Sequence, residues 1–180
     1  MPVFTRKLAP TSAIFILFII CLASCQQKEE PPSRPLDPWV FRSVLDKKPR
    51  MLTVALDTAC YVAYDLTTCT LYKAWKGGVL MEGAAYTDKK NVQPTSWGTA
   101  YLSDSSHHFG WIAEVNARRE RPRMVHKGYS FSDNDIYLKY AMILSHGDTI
   151  VIRERPVFIR NDAGQPGLGR TFFVDEIGPD

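Results

Sequence analysis

The sequence predicts an all-β protein: a single antiparallel β-sandwich domain that follows a signal peptide and a flexible linker. Three observations lead there. Short segments rich in β-branched and aromatic residues recur along residues 38–180, and such residues suit a pleated, half-buried surface. Turn formers separate them at short spacing, as in Asp133-Asn134 and His146-Gly147-Asp148, where side-chain hydrogen bonding and tolerance of left-handed backbone favour reversal. No stretch after the signal keeps a long 3.6-residue apolar period, which amphipathic helices require. Several short strands with turns between them indicate a sandwich or a barrel, and no internal repeat points to a propeller.

The N-terminus has the three zones of an export signal. Arg6 and Lys7 supply positive charge, and residues 13–23 (AIFILFIICLA) form an uncharged apolar run. That run fits the roughly 7–15 residues of a signal core and falls short of the ~20 that span a bilayer. It closes on Leu22-Ala23-Ser24-Cys25, which resembles the bacterial lipobox, in which small residues precede a cysteine that takes diacylglycerol. The expectation is a signal peptide over residues 1–24, cleavage before Cys25, and lipid attachment at Cys25. Residues 25–37 (CQQKEEPPSRPLD) are polar and proline-rich, so they cannot bury a core and read as a tether. The implied location is extracytoplasmic and membrane-anchored through lipid. Gln26 is not an aspartate retention signal, which is compatible with an outer membrane in a diderm host.

Charge excludes one class of partner. Of 22 Lys and Arg against 19 Asp and Glu, Arg6 and Lys7 leave with the signal and no acid does. The near-neutral remainder lacks the clustered basic stripe of nucleic-acid binding. Arg118, Arg119, Arg121 and Arg123 are interrupted by Glu120 and Pro122 and read as a solvated loop.

Residues 38–180 suffice for one domain with its own core. Residues 51–56 and 60–64 read as strands around a turn at Asp57-Thr58. Residues 69–75 alternate and are expected to end at Lys76-Gly77-Gly78, completing a meander. Residues 97–102 form a further strand and 103–108 a loop. Alternation then runs through 123–131, 136–144, 149–158 and 171–174. After Cys21 leaves and Cys25 is lipidated, Cys60 and Cys69 remain. They flank the turn at residues 65–68, but a hairpin there sets Cys60 opposite a residue near Lys73. They are either a disulfide, which needs Cα atoms within ~7 Å, or two buried free thiols.

Several segments carry a family resemblance. Residues 38–45 (PWVFRSVL), Pro49-Arg50-Met51, residues 64–77 (YDLTTCTLYKAWKG) and Lys127-Gly128-Tyr129 resemble the β-rich module of large secreted bacterial proteins that also carry a c-type cytochrome domain. The resemblance spans most of residues 38–160 and rests on packing and turn patterns. It implies an accessory module whose partner is a c-type cytochrome or other haem protein. Covalent haem needs Cys-x-x-Cys-His; Cys60 is followed by Tyr-Val-Ala and Cys69 by Thr-Leu-Tyr, so no cofactor is expected here.

Other chemistry is sparse in the sequence. There is no nucleophile elbow, phosphate-binding glycine loop or zinc-protease helix, and no catalytic residue is assigned. His107 and His108 lack a spaced Cys, His or carboxylate set, so no metal site is expected. Asp133, Asn134, Asp135 and Asp148 suit turns better than a calcium loop. Asp65, Glu82, Asp104 and Glu114 would make a glycosidase pair only at a defined separation. Trp39, Trp75, Trp97 and Trp111, with Tyr72, Tyr86 and Tyr101, are either sandwich core or a platform for a sugar ring or another flat ligand. Trp75, Lys76 and Trp97 are the ligand-binding candidates, since Trp75 is expected at a strand end, where contacts concentrate. Arg42 and Arg50 either anchor the linker or meet a partner's carboxylates. The expected role is a non-catalytic accessory or interaction module; the alternatives are a carbohydrate-binding module and a small glycosidase-like enzyme.

Overall fold

The computed structural model describes residues 37–104 and 110–175. The signal peptide, the lipid-attachment residue Cys25, residues 26–36 of the linker, and His107 and His108 lie outside them. The described residues build strands and no helix. The first antiparallel meander is β1 (Trp39–Leu45), β2 (Lys48–Asp57), β3 (Cys60–Asp65), β4 (Thr70–Leu80) and β5 (Thr95–Ser103). A small ribbon, β6 (Ala113–Val115) with β7 (Arg118–Glu120), follows. The second meander is β8 (Arg123–Ser132), β9 (Asp135–Ile143), β10 (Thr149–Arg160) and β11 (Pro166–Asp175).

Local backbone preference explains the tight reversals. Asp133 and Asn134 take φ values of 51° and 66° between the paired Ser132 and Asp135, the left-handed pair that matches strand twist in a two-residue hairpin. Asn116-Ala117 and Asp46-Lys47 make the same turn. Just past the second of these, the pairing steps from Ser43↔Met51 to Leu45↔Lys48, and Arg50 stands at φ 55°. This bulge re-aims Arg50 at the end of the hairpin.

Two apolar clusters hold the chain together. One lies between the meanders: Leu52, Val54, Val62, Tyr64 and Leu71 from the first meet Ile136, Leu138, Tyr140, Met142 and Ile152 from the second. The other occupies the opposite face of the first sheet, where Leu45, Met51, Ala55, Tyr61, Ala63 and Trp75 cluster. That face is enclosed because the sheet curls. Asp46, at the end of β1, accepts from the Ser96 backbone N–H at 2.8 Å and from its hydroxyl at 2.6 Å, and the Asp46 N–H donates to Pro94. The curl brings β1 to the start of β5 without strand pairing. The fold is a sandwich with one strongly curled layer.

Three strands depart most from expectation. β1 reads as a strand only in three dimensions, since it is short and flanked by Asp37-Pro38. β11 begins at Pro166, five residues before the predicted start. β4 runs through Gly77-Gly78 to Leu80 instead of ending there. Gly77 and Gly98 are cross-strand partners with φ 142° and 109°. A Cβ on Gly77 would stand 2.1 Å from the Trp97 carbonyl oxygen, and one on Gly98 2.1 Å from that of Lys76. The glycines bend a continuing ribbon, as glycine does where backbones approach closely.

Candidate functional site: a cationic cleft on the edge of β1

The site starts from the pairing of an edge strand. Cross-strand neighbours share a sheet face. Arg42 is opposite Leu52 and so lies on the inter-sheet face of β1. On the second sheet, His126 of edge strand β8 is opposite Tyr140 and lies on the facing surface. The bulge carries Arg50 into the same region. A cleft of about 490 Å³ runs along the free edge of β1, lined by Arg42, Ser43, Arg50 and Met51 and, on its outer side, by Tyr86 and Asp88. The outer wall is fixed by the Val44 N–H, which donates to Ala85 at 2.6 Å.

The electrostatics of this cleft are unbalanced. Among the described residues neither Arg42 nor Arg50 makes an ion pair. Burial first, then the charges of Arg42 and Arg50, hold the His126 imidazole below its usual range. Its Nδ1 is buried without a hydrogen-bond partner, as is the Oγ of Ser43, a residue only 4% exposed. Buried polar atoms are nearly always paired with protein or water. Arg42 and Arg50 share the cleft, whereas His126 is not among its lining residues and Ser43, opposite Met51, belongs to the other face of the first sheet.

Compared with protein-family models, with curated proteins and with solved structures, the chain finds no match.

The structure treats the predicted ligand residues unequally. Arg42 and Arg50 come together. Trp75 does not stand at a strand end and is not available to a ligand: it is fully buried, stacks on Tyr61 with centroids 5.5 Å apart, and donates from Nε1 to the Gly78 carbonyl at 3.0 Å. It is core because the curl turns its face inward. Trp97 is 58% exposed, and its indole lies across Gly78, whose added Cβ would meet Nε1 at 3.0 Å. Lys76 is exposed on the same ribbon. Of the aromatic residues of the sequence reading, Trp97, Tyr86 and Tyr101 are exposed, and the Tyr101 hydroxyl donates to the Ala59 carbonyl.

Cys60 and Cys69 are free, buried thiols and not a disulfide. The hairpin register explains it: Tyr61 pairs with Trp75 and Asp65 with Thr70, so Cys60 lies far up the ladder from Cys69. Burial above all pushes both thiols up to about 12. Among the described residues no group of three His, Cys, Asp or Glu side chains is placed to hold a metal ion. Asp65, Glu82, Asp104 and Glu114 scatter: Asp65 caps its own turn at Thr67, Glu114 pairs with Arg119, and Asp104 is buried beside the β4–β5 hairpin.

Sequence reasoning missed a polar group inside the inter-sheet core. Glu154 is fully buried. Its Oε1 accepts from the Tyr64 hydroxyl at 2.7 Å and from Arg170 Nε at 2.5 Å, while Oε2 accepts from Tyr140 and from Arg170 Nη2 at 3.0 Å. Burial chiefly, and then the Glu154 charge, raise both tyrosines, which stay protonated donors. With four donors on two oxygens, Glu154 ties β3 to β9, β10 and β11 and has no capacity aimed at a cleft. The available signal was Glu154 at an apolar-face position of an alternating strand. His126 and Ser43 carried no signal, because their significance depends on register.

Proposed function

We propose that this chain is a lipid-tethered, extracytoplasmic accessory module that does no catalysis and docks an acidic partner through the β1-edge cleft. The observation that carries the reading is the convergence of Arg42 and Arg50 in one cleft without a carboxylate paired to either among the described residues. Guanidinium groups recognise carboxylates through paired N–H bonds. Clefts of one sign steer association and fix orientation more than they add affinity. The Cys25 tether would hold such a module beside membrane-associated partners, and the resemblance of residues 38–160 to modules that accompany c-type cytochrome domains makes a haem protein the partner proposed.

Crosslinking in native membranes followed by recovery of the chain and haem staining tests this. A haem-stained partner supports the reading; recovery of the chain without one overturns it.

A second reading, carbohydrate binding, is favoured by Trp97, an exposed indole on the same strand as the exposed Tyr101. Loss of sugar-array binding in Trp97→Ala with an unchanged fold would support it, and no binding by the unaltered protein would remove it.

A further inference from the structure

We propose that the far end of the β4–β5 ribbon is a membrane-contact surface that lays Trp97, Leu80, Met81 and Val92 at the boundary between headgroups and acyl chains of a phospholipid bilayer. The inference goes beyond the docking reading and shares with it only the lipid tether at Cys25.

Four large apolar side chains gather there, each at least half exposed. Register places the first two. Gly78↔Trp97 and Leu80↔Thr95 are alternate rungs of one ladder, so Trp97 and Leu80 stand on the same face. Gly78 leaves room for the indole to lie across β4: an added Cβ would meet its Nε1 at 3.0 Å and its Cζ2 at 3.1 Å. The other two stand where the chain leaves the ribbon. There the Ala84 N–H donates to the Val92 carbonyl at 3.0 Å, and a Cβ on Gly83 would stand 2.8 Å from Val92 Cβ. The opposite face of β4 sends Trp75 and Val79 into the curled core.

The order of side chains along the ribbon decides the partner. Moving outward come the exposed Lys76, then Trp97 over Gly78, then Leu80, then Met81 and Val92. Charge, indole and aliphatic carbon in that sequence follow the polarity gradient from lipid headgroup to acyl chain, in which indoles settle at the boundary. A sugar ring needs the indole alone, whereas Leu80, Met81 and Val92 continue the apolar surface past it. Lys76, Lys89 and Lys90 against Glu82 and Asp88 leave residues 76–97 with one positive charge, which suits anionic headgroups. Glu82, next to Met81, keeps the insertion shallow. The tether supplies proximity: residues 26–36 separate Cys25 from Asp37, a chain that reaches about 40 Å at full extension. A domain held that close to a bilayer turns a weak apolar contact into a standing one.

The test uses the full chain, purified from membranes with its lipid and reconstituted in vesicles of phosphatidylethanolamine and phosphatidylglycerol, with or without bromine on the upper acyl chains. Brominated lipid is expected to quench part of the tryptophan fluorescence. Trp97→Phe, which keeps an apolar ring, should abolish that quenching and leave Trp39, Trp75 and Trp111 as the unquenched reference. Leu80→Ser/Met81→Ser should reduce the quenching at least twofold while the chain still floats with the vesicles. Flotation without quenching, quenching unchanged in Trp97→Phe, or full quenching in the double variant would overturn the proposal. Cys25→Ser should bind the same vesicles about a hundredfold more weakly, with its bound fraction still quenched; undiminished binding would remove the tether alone. A haem partner missing from membrane crosslinks sinks the docking reading alone.

Discussion

Arg170 reaches Glu154 through two nitrogens, Nε at 2.5 Å and Nη2 at 3.0 Å, while its guanidinium lies 4.9 Å from the Phe172 ring centroid. The carboxylate is fully buried and the arginine side chain 28% exposed, so the pair joins the core to the open edge between β5 and β11. Removing the arginine strands a buried charge with only two hydroxyl donors. Arg170→Ala is expected to lower unfolding free energy by about 3 kcal/mol, near the lower end for breaking a buried pair because Arg170 is partly solvated. Tyr64→Phe removes one donor and should cost ~1–2 kcal/mol. Denaturant melts of both variants check the order; equal and negligible losses would mean that the network contributes little.

The thiols give a second expectation. With both pushed to about 12 by burial, neither is nucleophilic at neutral pH. The native chain should resist iodoacetamide, and unfolding without reductant should expose two reactive groups, Cys60 and Cys69. A disulfide would expose none.

The same thiols set an alkaline limit. An acid whose folded-state value lies above its unfolded one keeps its proton in the fold after the unfolded chain has lost it, so stability is intact below about pH 9 and declines as pH rises toward about 12. Tyr64 and Tyr140, also raised, extend the decline above their ordinary range. The fall in Tm across that window should shrink in Cys60→Ala/Cys69→Ala. An unchanged slope would assign the effect to the tyrosines.

The two tryptophans of the β4–β5 hairpin should separate cleanly. Trp75→Ala opens the centre of the curled sheet and is expected to cost about 3–5 kcal/mol. Trp97→Ala should cost ~1 kcal/mol, since it uncovers only Gly78. Gly77→Ala meets both a positive φ and a carbonyl at 2.1 Å, so it should destabilise by about 2 kcal/mol or more. Thermal melts of the three rank them.

The legible part of this fold was local. Alternation in residues 136–144 and the left-handed tolerance of Asp133-Asn134 come from neighbours in sequence, and the structure has strand and turn there. The Asp46-Lys47 turn was not legible because lysine rarely takes φ near 64°; the hairpin imposes it. Gly77-Gly78 misled for a related reason. Glycine marks either an end or a bend, and only the partner Gly98, twenty-one positions on, distinguishes them. Trp75 looked accessible because of that mistaken end. Arg42 and Arg50 were visible as residues, whereas their sharing of one cleft required the β1–β2 register and its bulge.

The most direct measurement is membrane crosslinking and haem staining performed in parallel on the unaltered chain and on Arg42→Ala/Arg50→Ala, with matched expression and matched thermal stability. The docking account predicts a haem-stained partner with the unaltered chain and its loss from the double variant. A partner retained in full by the variant, or none recovered with the unaltered chain, would contradict it.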